Sequence, residues 1–378
     1  VRIGIDAYVT SPVQGGFTSY IVRIVTHLSA HDEDELVVYV PSVGRVALEG
    51  LAGLPWVELR VVDFDMTAFA TRTERDTTWH QKILAAALRA ERPDVFFGTC
   101  QFLPLDWDGP SVVTIHDVIF ERHPEFFTPA NLDLYRTWTK RAALKADAIV
   151  TVSQASADDV KDVWSIHDKP IVATPLAPAL PFVPTDREKS RRIVSDQLGI
   201  EGGYVLNVAG GHRRKNLAGV VRAFAGLSSE LRRANQLVLV NLDAPWVHEL
   251  VAEHSVADRA VITPRLPDEL MPHVYAGATV LLHPSFYEGF GLPVLEAMSC
   301  GTPVVSSTKP AIPEVAGDAA ILVDPHDDAA LTEALTRVLT DPNLRHMLGE
   351  AGRRRSKEFD WATTAELTRD VLAGVVRP

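Results

Sequence analysis

The chain has 378 residues, 46% of them apolar in type and 23% charged, with a formal net charge of −12. That length exceeds one ordinary core and suits two α/β domains, and the composition excludes a disordered chain. The acidic balance argues against nucleic acid as the main partner and against a broad electrostatic grip on anionic lipid, while no apolar run approaches a membrane span, so no integral membrane contact is expected.

In the first half, β-branched apolar runs at 1–5, 36–40, 58–62, 95–97, 112–115, 148–152 and 171–173 read as buried strands. Helical patterns at 17–28, 78–89, 132–145 and 156–163 alternate with them, which predicts a parallel sheet wound with helices. Residues 174–186 then carry four prolines and no periodicity, the mark of a linker. Strand-like runs resume at 204–208, 236–240, 260–262, 278–282, 303–306 and 320–323, and helical runs at 327–339, 343–359 and 361–375 close the chain. The expected architecture is α/β: two doubly wound, Rossmann-like domains, 1–180 and 181–360, with ligands in a cleft at the carboxyl ends of their strands. Cys100 and Cys300 are the only cysteines and have no metal-ligand spacing, which reads as two reduced thiols in a cytoplasmic protein. The sequence opens directly into a strand, so no signal peptide is expected.

The chemistry-bearing residues sit after strands. His283 to Val305 reads HPSFYEGFGLPVLEAMSCGTPVV. Gly289 and Gly291 permit a tight turn with close backbone approach, and Pro293 suits the first position of a helix over 294–299. The amides at Phe290-Gly291 would then face a phosphate at a helix N-terminus. Glu288 lies before the turn and Glu296 in the expected first helical turn; carboxylates there gain most from neutral hydroxyls, which they accept from well. A second loop, Ala209 to Asn216 (AGGHRRKN), puts Arg213, Arg214 and Lys215 before a helix over 217–224. Three cations at a helix start oppose the dipole and call for an anion. The alternative is a solvated basic loop.

Three further places are weaker by themselves. Gly15 and Gly16 follow the first strand without the G-x-G-x-x-G pattern, and a simple turn accounts for them equally well. His116-Asp117 ends the strand over 112–115, where a structural histidine and a turn-capping aspartate are the ordinary readings. Arg265 and Leu266 follow the strand over 260–262. Trp79, Gln81 and Trp138 border the possible acceptor side, although aromatics at helical spacing belong to cores more often.

Taken together, the E-x7-E run with HPS before it and PVV after it resembles the retaining GT-B glycosyltransferases of family 4. The His116-Asp117 motif with Arg122-His123-Pro124-Glu125 is similar to a subgroup of mannosyl- and rhamnosyltransferases. The resemblance implies a hexose or deoxyhexose moved from GDP-mannose, dTDP-rhamnose or a UDP-hexose to a hydroxyl of a small-molecule, oligosaccharide or lipid-linked sugar acceptor. It assigns the diphosphate to Arg213, Arg214, Lys215, Gly15, Gly16, Phe290 and Gly291. The nucleoside goes to Glu296, Arg265, Leu266 and Leu292, and the sugar to His116, Asp117, Glu288 and Gly289. His116, Glu288 and Lys215 would carry the catalysis, no metal or cofactor is expected, and the last helix, 361–378, would return to the first domain. Other chemistry on the same fold, epimerisation or phosphorolysis, and a non-catalytic nucleotide-sugar-binding subunit are the alternatives.

Overall fold

The structure, a computed structural model, describes residues 1–8, 16–30, 34–178, 182 and 186–376. Strands β1 (Arg2–Asp6), β2 (Glu35–Pro41), β3 (Val57–Val62), β4 (Val95–Gly98), β5 (Ser111–Ile115), β6 (Ala148–Thr151) and β7 (Ile171–Ala173) form a parallel sheet in the order β3-β2-β1-β4-β5-β6-β7. Strands β8 (Gly203–Val208), β9 (Asn235–Val240), β10 (Ala260–Ile262), β11 (Val280–His283), β12 (Val304–Ser307) and β13 (Ile321–Val323) form a second, ordered β10-β9-β8-β11-β12-β13. Every pairing is parallel, and helices supply the crossovers. The fold class is therefore the expected one. Central strands such as β4 and β5 are buried along their whole length, so their sequences are unbroken apolar runs with no alternation.

The chain divides into two compact units, Val1–Ala179 with Asp360–Pro378, and Leu180–Phe359. In the first unit the helix Trp361–Val375 packs on the helix Gly16–Leu28. Asp360 caps it, its carboxylate accepting from the Thr363 amide, and Trp361 Nε1 donates to the Pro178 carbonyl at 3.1 Å. Arg369 donates to the buried Asp34 at 2.6 Å, and the N-terminal ammonium reaches the same carboxylate at 3.2 Å. Trp361, Ala365 and Leu372 face inward, each large apolar side chain so buried contributing roughly 1.5–3 kcal/mol.

Each sheet has one point where strand order reverses: β1 lies between β2 and β4, and β8 between β9 and β11. Loops leaving the carboxyl ends of β8 and β11 therefore emerge side by side, the usual place for a ligand in such sheets. Asn207 on β8 ties the pair, donating from Nδ2 to the Leu282 carbonyl at 2.8 Å.

Local structure departs from expectation in three places. Trp79–Leu84 winds as a π-helical stretch inside the segment expected to be regular helix. A helix at Arg187–Leu198 follows the proline-rich segment, unpredicted because only Ser190 and Val194 of it are buried and it shows no apolar stripe. The Leu292–Ser299 helix begins one residue before Pro293, so Pro293 is its second residue and Glu296 lies in its second turn, not its first.

Candidate active site

After β8 the chain passes through a 3-10 turn, Arg213–Lys215, and Asn216 then caps the Leu217–Ala225 helix. Asn216 adopts a left-handed φ of 54°, its Oδ1 accepts from the Gly219 amide at 3.1 Å, and its Nδ2 donates to the Pro325 carbonyl at 2.8 Å. The three cations thus precede the helix, and the capping residue is neutral. The Phe286 amide donates to the Arg214 carbonyl at 2.8 Å, which fastens this loop to the one leaving β11.

Arg214 and Lys215 converge on Glu288. Lys215 Nζ donates to Glu288 Oε1 at 2.6 Å and Arg214 Nη1 to Oε2 at 2.7 Å. Ser285 Oγ and His283 Nε2 also donate to Oε1, at 2.6 and 3.0 Å. Burial by itself raises the carboxyl pKa; the Lys215 and Arg214 charges and the His283 bond outweigh it and hold Glu288 well below the usual carboxylate range. Burial also lowers His283, so its ring is neutral with the proton on Nε2, and its Nδ1 is buried without a hydrogen-bond partner. Neutral hydroxyls were the expected partners of Glu288; here two cations, an imidazole and a serine surround it. His283 and Ser285 are the residues that sequence reading passed over, and their signal is local: both lie within five positions of Glu288.

Gly291 caps the following helix with a φ of 109°, which favours glycine, and a Cβ there would push on the tip of Ile312, Cδ1 at 2.7 Å. Its carbonyl accepts from the Val294 amide at 3.0 Å. Phe290 is buried and meets Phe359 edge-on at 5.8 Å. Tyr275 donates to Glu296 Oε2 at 2.6 Å. Part of Glu296 reaches the surface, yet its carboxyl lies deep; burial pushes it up to about 7, partly offset by the Tyr275 bond and the Lys215 charge. Arg213 is exposed and outside the Glu288 cluster. Arg265 is exposed and ion-paired with Asp268 at 3.2 Å, while Leu266 is buried.

In the first unit Gly15 falls outside the described residues. Gly16 opens the Gly16–Leu28 helix, exposed, with nothing within 4 Å of where a Cβ would be. His116 Nε2 donates to the Thr99 carbonyl at 2.9 Å, which fixes the tautomer and leaves Nδ1 as an acceptor. Phe17 and Tyr20 meet its ring edge-on at 4.8 and 4.9 Å, and burial pushes its pKa down to about 4, so it is neutral at pH 7. Asp117 accepts from the Ile119 amide at 3.1 Å and so shapes the turn. Trp79 is core: it is fully buried and donates to Asp6 at 3.0 Å. Gln81 ties down the Leu103–Leu105 backbone at 2.9 Å in both directions. Burial pushes the thiols of Cys100 and Cys300 up to about 12, which leaves neither as a ready nucleophile.

Among the described residues no helix is long and apolar enough to cross a membrane. Residues 14–176 match the family model described as Glycosyltransferase Family 4, and residues 191–355 the one described as Glycosyl transferases group 1. O-antigen chain mannosyltransferase B of Escherichia coli is 31% identical over 287 residues, 75% of this chain and 74% of that protein. Two solved structures share the fold at low identity. Sucrose-phosphate synthase from Thermosynechococcus elongatus has a TM-score of 0.79 at 20% identity, with 99% of each chain covered. Anabaena HepE in complex with UDP-glucose has a TM-score of 0.75 at 17% identity, with 99% of each chain covered. Two Rossmann-like units with these structural neighbours define the GT-B fold, and the family models with the Escherichia coli relative define a glycosyltransferase enzyme. The chain belongs to the group 1 glycosyltransferases, family 4.

Proposed function

We propose that the chain transfers a hexose, mannose in the first place, from a nucleoside-diphosphate sugar to a hydroxyl of a sugar-containing acceptor, with retention of configuration and without a metal ion. The observation that carries this reading is the convergence of Arg214 and Lys215 on one buried carboxylate, beside the turn at Phe290-Gly291. Two fixed cations and a helix N-terminus suit a diphosphate, whose charge grows as the bond to the sugar breaks; preorganised charge of this kind serves a leaving group best. Mannose is favoured because the Escherichia coli relative is named a mannosyltransferase, and a nucleotide sugar because the Anabaena neighbour is described with UDP-glucose.

In this reading Lys215 and Arg214 take the diphosphate, Glu296 and the backbone at Arg265-Leu266 and Leu292 the nucleoside, and Glu288 with Gly289 the sugar. Glu288 would exchange part of its cation pairing for sugar hydroxyls as the diphosphate arrives. His116, neutral and with Nδ1 as acceptor, suits a sugar hydroxyl better than an anion. Attack occurs on the face the diphosphate leaves, and the leaving phosphate takes the acceptor's proton, so no protein nucleophile is required. The first unit takes the acceptor. Two free thiols, Cys300 buried and Cys100 half-buried, suit a reducing, cytoplasmic location.

The test is incubation of the enzyme with GDP-mannose, dTDP-rhamnose or UDP-glucose, with and without a mannoside acceptor and with EDTA, read by NMR of the anomeric proton. An axial product from an axial donor in EDTA supports the reading. Epimerised or phosphorolysed donor in the absence of acceptor, inversion, or nucleotide-sugar binding without any turnover would overturn it.

A further inference from the structure

The second unit contains a cavity of about 390 Å³, and none of its lining residues belongs to those proposed above for the transfer reaction. Its walls come from Arg187, from Cys300-Gly301 just before β12, and from Arg345, His346 and Arg353 on the helix Pro342–Ser356. These residues gather at the amino ends of β11 and β12, whereas the Glu288 cluster follows the carboxyl ends of β8 and β11. The cavity is therefore at the other end of the same sheet.

Its charge is unbalanced. Arg187 donates to the carbonyls of Ala276 and Ala278 at 3.3 and 3.1 Å, and Arg345 to those of Val338 and Leu339 at 2.7 and 2.8 Å. Carbonyls fix a guanidinium in place and neutralise none of its charge. Among the described residues no carboxylate pairs with Arg187 or Arg345, and Arg353 alone has an acidic partner, Glu350. Burial, followed by the charges of Arg191, Arg345 and Arg353, depresses the Arg187 pKa below the usual arginine range. Three guanidinium groups face one carboxylate, an arrangement that a bound anion would relieve.

The cradle is also shaped. Gly301 has a φ of 70°, and a Cβ there would overlap Arg353 Nη1. A Cβ on Gly349 would come within 2.6 Å of the Gly301 carbonyl, so two glycines let this helix and its arginine close on the turn. We propose that this cavity binds the phosphate group of a small organic phosphomonoester, at a site separate from that of the nucleotide sugar. A phosphomonoester carries roughly −1.5 to −2 at pH 7 and offers the oxygens that planar guanidinium forks grip. The volume falls within the range of roughly 300–1,000 Å³ for small-molecule sites and leaves space for a body beyond the phosphate. No phenylalanine, tyrosine or tryptophan lines it among the described residues, and its walls are mostly guanidinium groups and backbone, which suits a polyol phosphate.

The experiment is calorimetry on the whole chain saturated with GDP or UDP, titrated with glucose 6-phosphate, inorganic phosphate, or phosphatidic acid vesicles. One equivalent of glucose 6-phosphate binds, more tightly than inorganic phosphate, and affinity falls as salt rises. Affinity falls at least tenfold in the Arg187→Gln, Arg345→Gln double variant. The exposed rim substitution His346→Glu leaves the core untouched and weakens binding comparably. No binding, equal affinity for inorganic phosphate, binding to vesicles alone, or unchanged affinity in both variants overturns the proposal.

Discussion

The Lys215 ammonium and the Glu288 carboxylate lie 2.6 Å apart, both nearly excluded from solvent, on loops whose strands are neighbours in the sheet. A buried pair of this kind gains stability only while both members are present; removing Lys215 leaves Glu288 paired with Arg214 alone, at a cost below the roughly 3–5 kcal/mol of a buried pair broken outright. The same ammonium is proposed to face the leaving diphosphate, where losing one preorganised group lowers the rate about 10²–10³-fold.

Lys215→Ala is accordingly expected to lower both the melting temperature and kcat/KM, by the amounts just given. Lys215→Arg keeps the charge and should recover most of the stability while activity stays depressed, because a planar fork does not reproduce a point charge. Thermal melts paired with initial rates check this. Transfer at wild-type rates by the alanine variant would remove Lys215 from the site.

Glu296 gives a prediction about pH. Its folded pKa, about 7, lies above the ordinary value of 4.5, so the folded protein retains a proton that the unfolded chain releases. The stability this contributes is complete below pH 4.5 and disappears as pH rises through 7. If the anion receives ribose hydroxyls, affinity for GDP-mannose tightens as pH rises through the same value. Tyr275→Phe removes a bond that lowers this pKa, so the midpoint should move upward. Calorimetry between pH 5.5 and 8.5 decides the matter, and an affinity flat across that range in both proteins contradicts it.

His116 behaves in the opposite sense. Burial depresses its pKa from 6.5 to about 4, so its contribution is present above pH 6.5 and lost as pH falls towards 4. Urea melts of wild type and His116→Gln from pH 7 to 4.5 should converge at the acid end, because the glutamine amide reaches the place from which Nε2 donates to the Thr99 carbonyl but does not titrate. Activity of the variant at pH 7 should fall, because the ring nitrogen proposed to accept from the sugar is gone. Equal pH slopes for the two proteins would show that the imidazole is not held neutral.

Removal of residues 360–378 takes away Trp361, Ala365 and Leu372 and the Arg369 partner of buried Asp34. The first unit should lose near-ultraviolet circular dichroism and become sensitive to protease. Cleavage patterns as slow as those of the intact chain would contradict the packing described for that helix.

The sheets were legible in the sequence because parallel strands buried on both faces leave unbroken apolar runs, β4 and β5 being examples. The helix at Leu292–Ser299 announced itself through proline and glycine, and that at Trp361–Val375 through its helical pattern. Arg187–Leu198 did not, since a helix with so little buried surface leaves no stripe. At the site, residue types were legible and their pairing was not. Lys215 and Glu288 are 73 positions apart, and their contact depends on β8 lying beside β11, a property of strand order that no local pattern encodes. The protein groups that hold Glu288 went unread for that reason. Asp6 and His80, bonded at 3.0 Å across 74 positions, escaped notice in the same way.

The helix Trp361–Val375 also sets an order of events during synthesis. Domains fold as units while the chain emerges, at roughly 5–20 residues per second. The second unit is one uninterrupted stretch and is whole once Phe359 has left the ribosome. The first unit, although made first, waits for its final helix until the second is already complete. The half of the enzyme translated earliest is therefore the half that matures last, and its exposed Gly16–Leu28 surface is what a chaperone would have to guard in the interval.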